Sequence, residues 1–202
     1  MNGPIEHDTR QALIEAARDL IVEGGIDALT MRKVGQAVNV SATAIYRHFE
    51  DKDALLSAAV VQGAQVFARY LLDALKETTA LARLQRMGQR YFDFAADHRH
   101  DYQILFMTDC KQTGMQKLDE RAQRETRGTF LMLVDRVVEC QTTGEVQPGD
   151  PTALAVYIWS SFHGLASLKI TGRVSVDETV YTQLVNQQIQ RTLGAVACCA
   201  PH

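Results

Sequence analysis

Apolar side chains recur every three or four positions along most of this 202-residue chain, and that spacing commits it to helix. Leu13, Ala16, Ala17, Leu20 and Ile21 form one stripe of a first helix, RQALIEAARDLIVEG, while Arg10, Glu15, Arg18 and Asp19 lie mostly elsewhere. Asp8 or Thr9 supplies an N-cap, and Gly24-Gly25 ends the helix. A long fourth helix follows Glu50 and Asp51, carried by Leu55, Leu56, Ala59, Val60, Val66, Phe67, Tyr70 and Leu71. Further helices are expected at about 80–98, 101–108, 115–143, 150–171 and 176–196, with breaks at Gly114, TTGEVQPGDP and TGRVS. Only four prolines interrupt the chain, and no alternating β-branched run reads as a strand. The fold class is therefore all-α.

Hydrophobic content of 46% with 22% charge is that of a globular protein with a core. The polar start MNGPIEHDTR does not read as a signal peptide, and no uninterrupted apolar run approaches the ~20 residues that span a bilayer. A cytoplasmic protein with no membrane partner is expected. Cys110, Cys140, Cys198 and Cys199 contain no C-x-x-C pair and read as reduced thiols. The cluster DHRHD (97–101) has metal-binding residue types, but they do not share one face, so a solvated polar junction is expected. There is no Gly-rich phosphate loop, no G-x-S-x-G, no H-E-x-x-H and no paired Glu-x-x-His, so neither an enzyme nor a cofactor or metal site is read.

The net charge of −3 argues against broad binding to a polyanion. It does not exclude a local basic face, because exposed charges are screened beyond about 8 Å. Such a face exists. From Ala28 to Phe49 there are three bases, Arg32, Lys33 and Arg47, with His48 and no acid. Thr30 can cap a short helix, MRKVGQAV, with Met31, Val34, Ala37 and Val38 inward. Asn39 sits where the chain must turn, and asparagine tolerates the left-handed region. Ser41 caps a third helix, ATAIYRHF, whose Ala44, Ile45 and Phe49 face inward. Two short helices joined by a tight turn behind a longer one make a helix-turn-helix.

A recognition helix places short polar groups at base edges and longer donors at phosphates. Ser41 and Thr43 suit either role, and Ala42 could meet a thymine methyl. Tyr46 and His48 suit phosphate, and Arg47 phosphate or guanine. Lys52, in the first turn of the fourth helix, and Thr30, Arg32 and Lys33 offer further backbone contacts. The competing reading is a helical small-molecule or protein-binding module whose polar corner does not touch DNA.

The stretch LTMRKVGQAVNVSATAIYRHFEDKDALL resembles the DNA-binding domain of the TetR family of transcriptional regulators, over about residues 9–56. The Y-x-H-F…K-x-x-L portion is its most specific part, and Asn39 stands where the family usually has glycine. The resemblance implies an N-terminal helix-turn-helix domain, 1–56, and a ligand-binding and dimerisation bundle, 57–202. It also implies a homodimer on a palindromic operator, most commonly a repressor released by a small effector. VYIWSSFHGLASLKI (156–170) is similar to the Trp…His-Gly helix of one branch of the family.

For an apolar or amphipathic effector the available side chains are Tyr91, Phe92, Tyr102, Phe106, Met132, Trp159, Phe162 and His163. Singly, each is what a helical core would use; Trp159 and His163, four apart on one face, are the best-placed pair, with His163 able to hydrogen-bond. Few charges fall among them, which favours an uncharged ligand. Leu154, Ile158 and Leu165 with Val180, Leu184 and Ile189 lie on stripes that can form an intermolecular four-helix bundle or an intramolecular core.

Overall fold

The computed structural model describes residues 4–108 and 118–198, without the side chains of residues 4–8 and Ala42. Among these residues there are nine α-helices and no strand. In order they are α1 (Pro4–Gly24), α2 (Met31–Val38), α3 (Ala42–Tyr46), α4 (Lys52–Leu72) and α5 (Ala80–Asp97). Then come α6 (Arg99–Phe106), α7 (Glu120–Thr142), α8 (Pro151–Ile170) and α9 (Glu178–Val196). The all-α expectation holds. A single antiparallel bridge joins Val146 to Ala197.

Most boundaries are set by caps of one kind. Thr79 accepts from the Ala82 N–H at 3.2 Å, Asp150 from Thr152 at 2.9 Å and Asp177 from Val180 at 2.9 Å. Pro151 follows Asp150 as the first residue of α8, where its missing N–H costs nothing. Several boundaries differ from expectation: α6 spans Arg99–Phe106 in place of 101–108 and α9 starts at Glu178 in place of 176, and those of α1 and α7 differ further. Helix α1 begins at Pro4, a turn ahead of Asp8, again with proline at its start. Helix α7 begins at Glu120 because Asp119 caps it, accepting from the Ala122 N–H at 2.8 Å; residues 115–117 of the expected helix, and the break at Gly114, lie outside the described residues.

The chain divides into two compact units. The first comprises residues 1–65 and 100–127. Its interior joins Leu13, Ala17 and Ile21 of α1 to Val34, Ile45, Phe49, Leu55 and Ala59, with Ile104, Leu118 and Ala122 from the later segment. A buried charge pair lies among these helices. Arg18 of α1 donates to Asp101 of α6 at 2.6 Å, and Asp101 is 1% exposed. Gly63 of α4 makes the room, since a Cβ there would stand 3.1 Å from Asp101 Oδ1. The DHRHD segment is therefore no solvated junction at its end: Asp101 is interior. His100 meets Asp19 at 3.1 Å on the surface nearby.

The second unit comprises residues 66–99 and 128–202. Within it α5, α8 and α9 pack against one another. Gly88 sets the closeness, because a Cβ there would lie 2.9 Å from Phe162 Cε2 and 3.4 Å from Ile189 Cγ1. Outside this core Asp73 is held by Lys76, Arg86 and Arg90, and its carboxyl is lowered to about 2, chiefly by the hydrogen bonds from Lys76 and Arg86. Residues Lys52–Lys76 are long and apolar enough to cross a membrane by length and composition, although polar residues interrupt their apolar run. Of that apolar window 56% is buried inside the protein, as in a core helix.

The Arg18–Asp101 pair yields a direct expectation. Asp101→Ala leaves a guanidinium unpaired in the interior and should cost about 3 kcal/mol. For a chain of this size the melting temperature should fall by roughly 6–12 °C. An unchanged melting curve would show that the pair contributes nothing.

Candidate nucleic-acid interface and effector region

The helix-turn-helix is assembled by local hydrogen bonds and one tight contact. Thr30 Oγ1 accepts from the Lys33 N–H at 3.2 Å, starting α2. Asn39 ends it at φ 57, ψ 43, and among the described residues it is the one non-glycine with positive φ. The Val40 N–H then donates to the Gly35 carbonyl at 2.9 Å, closing the turn. Ser41 Oγ accepts from the Ala44 N–H at 3.3 Å and starts α3.

Gly35 was not singled out by sequence. A Cβ there would lie 2.6 Å from Ile45 Cδ1 and 3.1 Å from the Val40 carbonyl oxygen, so α2 and α3 can approach only over a hydrogen. Ile45 is 1% exposed, so a displaced side chain would have to press into packed neighbours. The expected inward Ala37 is exposed instead, and Gly35 takes the inner position beside Val34. Helix α3 is also shorter than expected, ending at Tyr46. Arg47, His48 and Phe49 continue as a turn, with the His48 and Phe49 N–H groups donating to the Ile45 carbonyl.

These constraints leave one group of side chains outward. Thr30, Arg32, Lys33, Ser41, Thr43, Tyr46 and Arg47 are exposed, Tyr46 at 56%, and His48 is half-buried. The side chain of Ala42 lies outside the described residues. Lys52 differs from the rest: it is half-buried, and its Nζ donates to the Ile26 carbonyl at 2.8 Å. Asp51 caps α4 by accepting from the Ala54 N–H at 2.8 Å, which gives the acids after α3 a structural task.

The expected effector residues fall into two groups. Tyr102 and Phe106 belong to the first unit, with ring centroids 5.1 Å apart and Tyr102 fully buried. Tyr91, Phe92 and Phe162 are buried in the second unit, with Phe92 and Phe162 centroids 5.5 Å apart. Met132, Trp159 and His163 are half-buried. Trp159 stands 6.0 Å from Phe130 and 6.1 Å from His163, whose Nδ1 is 3.4 Å from the Tyr91 hydroxyl. Burial lowers the His163 pKa from 6.5, so its ring is neutral at pH 7. Phe130 is an addition that the sequence reading did not include.

A cavity of about 20 Å³ in the first unit is lined by Leu56, Val60, Ile104, Leu105 and Leu118, with Thr108 and Thr126. Both hydroxyls already donate to backbone carbonyls, Thr108 to Gln103 and Thr126 to Ala122. Its size suits about one water.

On α8 and α9, Ile158 and Ile189 point into their own unit, at 0% and 6% exposure, and so support these helices from within. Leu154, Leu165 and Leu184 are half-buried, and Val180 is exposed. Leu168, on the same apolar stripe as Leu154 and Leu165, is exposed, and so are Val156 and Tyr157, which lie off that stripe. Cys140 is buried and its thiol is pushed up to about 11 by burial, which removes its nucleophilic form at neutral pH. Cys198 is exposed, while Cys110 and Cys199 lie outside the described residues.

His163 gives a pH expectation with a definite sign. Its folded pKa lies below the unfolded value of about 6.5, so the unfolded chain takes up the proton first and stability falls with pH. The melting temperature of the wild type relative to His163→Gln should therefore decline between about pH 7 and pH 5. A constant difference would show that the ring is not held neutral.

Residues 13–59 match the model of bacterial regulatory proteins of the tetR family, and residues 84–192 match the tetracyclin repressor-like C-terminal domain. The Transposon Tn10 TetC protein of Escherichia coli is 30% identical over 90 residues, 45% of this chain and 46% of that protein. The class D tetracycline repressor of Escherichia coli is 42% identical over 53 residues. The chain thus spans about half the length of the first of these relatives and about a quarter of the second. The fatty acid metabolism regulator protein of Bacillus subtilis is 25% identical over 177 residues, 87% of this chain and 84% of that protein. Among solved structures, a TetR family regulator from Marinobacter aquaeolei superposes with a TM-score of 0.78 at 17% identity, covering 96% of this chain and 98% of that one. The fatty acid degradation regulator FadR of Bacillus halodurans gives 0.74 at 20% identity, with 96% of each chain covered. The second domain match alone spans more than half of the residues, and with the helix-turn-helix ahead of it the chain belongs to the TetR family of DNA-binding transcription regulators.

Proposed function

We propose that this regulator is a homodimeric repressor, acting in the cytoplasm, that leaves a palindromic operator when an apolar or amphipathic small molecule binds. The observation that supports DNA contact most strongly is the single outward face formed by Thr30, Arg32, Lys33, Ser41, Thr43, Tyr46, Arg47 and His48. These acid-free polar groups come from α2, α3, their N-caps and the turn that follows α3, with α2 and α3 set against each other at Gly35 and Asn39. Thr30 and Ser41 oxygens accept the cap hydrogen bonds, so their hydroxyl protons remain to donate to phosphate. Thr43 is the base-edge contact, and Ala42 remains the proposed thymine neighbour.

The domain division at residue 56 is proposed as the functional one, with 57–202 receiving the effector and forming the dimer. The effector class is inferred from Trp159, Met132 and the neutral His163, together with Tyr91, Phe92 and Phe162 of the same unit; Tyr102 and Phe106, of the first unit, are not counted among them. Few of these are charged or solvated, and the likeness to a fatty acid metabolism regulator over most of the chain supports the same class. Tyr91, Phe92 and Phe162 pack against one another, so ligand entry needs an alternative packing of these rings. Release is then a population shift: the ligand selects a conformer in which the two recognition helices no longer match successive major grooves, about 34–36 Å apart.

For the dimer, α8 presents Ala153, Val156, Tyr157, Ser160 and Leu168 outward with no charge among them, and α9 adds Val180. Leu154, Leu165 and Leu184 flank this face, while Ile158 and Ile189 are placed behind it.

Selection from a random duplex pool should return a palindrome, and affinity for it should fall steeply with salt. Tyr46→Phe should weaken binding to all sequences alike, and Thr43→Ala should change the selected bases by about 1–3 kcal/mol of discrimination. A pool that returns no sequence, with affinity insensitive to salt, would favour the DNA-independent binding module. Separately, Val156→Glu should convert the dimer to monomer in analytical ultracentrifugation; a dimer that survives this change is built on another face.

A further inference from the structure

We infer that Lys52 is a positioning residue of the DNA-binding head, acting through helix α2 rather than lending its own charge to a phosphate. The inference rests on the DNA-binding reading above and concerns how the interface is held together. Lys52 is the first residue of α4, and its Nζ donates to the Ile26 carbonyl at 2.8 Å. That carbonyl is not a loose acceptor. It lies in the short 3-10 turn Ile26–Ala28, after Gly25 at φ 72, and it also accepts the Leu29 N–H at 3.1 Å. Ile26 is 8% exposed and Leu29 0%, so both ends of the turn are sunk in the unit's core.

The next residue, Thr30, is the cap of α2, and Arg32 and Lys33 follow it outward. One ammonium therefore ties the start of α4 to a point four residues before the cap of α2. The two helix beginnings that can meet the DNA backbone are fixed in register by this bond. The exposed cations on the same face, Arg32, Lys33 and Arg47, are the groups left to approach phosphate. The half-buried Lys52 has one of its three donors committed inward. A charged donor on a carbonyl makes a short and directional link, suited to holding a turn in place.

The two roles separate in the salt dependence of binding. A lost phosphate contact lowers the slope of log affinity against log salt by about 0.9. A lost positioning bond lowers affinity at every salt concentration and leaves the slope alone. The experiment measures binding to a mixed-sequence duplex of about 30 base pairs, long enough for two half-sites. Lys52→Met keeps the stem and removes the ammonium; it should bind about ten-fold more weakly, with the wild-type slope. Lys52→Gln, which keeps a donor without the charge, should recover affinity to within about three-fold of wild type. Arg32→Met should lower the slope by about 0.9.

A general loss of stability is tested with Val60→Ala, a buried α4 change in the same unit, compared at equal distance from its melting temperature. That variant should bind within about two-fold of wild type. A slope that falls by about 0.9 in Lys52→Met, with Lys52→Gln no better, assigns Lys52 to phosphate and overturns the inference. So does an affinity loss in Val60→Ala equal to that of Lys52→Met. If the methionine variant does not fold, the glutamine variant decides alone, by its slope and its recovery. Wild-type protein that binds no duplex refutes the DNA-binding reading itself, and this is distinguishable from either result.

Discussion

The contact between Arg18 and Asp101 ties together three helices of the first unit that are distant in sequence. A carboxylate that is 1% exposed is tolerable only because a guanidinium stands 2.6 Å away. Gly63 leaves room for the carboxylate, since a Cβ there would stand 3.1 Å from Asp101 Oδ1 and crowd it. Three helices distant in sequence therefore meet at one point: α1 brings the base, α6 the acid, and α4 the gap. Replacing Arg18 leaves an unpaired acid, replacing Asp101 leaves an unpaired base, and a side chain at Gly63 crowds the carboxylate. Since α1 supports the helix-turn-helix and α6 belongs to the same unit, the head that presents Arg32, Lys33 and Arg47 includes a segment from beyond residue 99.

That feature explains what could be read from the sequence and what could not. Caps are local, involving residues two or three apart, so Thr30 and Ser41 announce the helices they start, and Thr79, Asp150 and Asp177 cap α5, α8 and α9 in the same way. Asn39 was legible for the same reason, since its left-handed backbone depends on its own side chain. The Arg18–Asp101 pair spans 83 residues, and nothing beside Asp101 in DHRHD distinguishes a buried acid from a solvated one. Gly35 and Gly63 are equally silent: a glycine inside a helix signals cost until the atom facing its missing Cβ is known. Periodicity fixed which stripes of α8 and α9 are apolar, but not which apolar residues turn inward, so Ile158 and Val156 could be told apart only by burial.

The two units express different demands. In the first, rigidity is useful, because a recognition surface of short side chains works only if α2 and α3 keep one crossing geometry; Gly35 against Ile45 and the capped turn at Asn39 provide it. In the second, tightly packed rings coexist with half-buried Trp159, Met132 and His163. A neutral histidine beside tryptophan and within reach of a tyrosine hydroxyl can exchange one hydrogen-bond partner for a ligand without exposing a charge. If the proposed effector binds there, a change in this packing is the response it would produce.

The central claim is that the face made by α2 and α3 meets DNA. Hydrogen exchange read by mass spectrometry, with and without the duplex recovered by selection, tests it at the level of segments. Binding through this face requires new protection concentrated in residues 28–52, including the amides that cap α2 and α3. Protection confined to α8 and α9, with residues 28–52 unchanged, would contradict it.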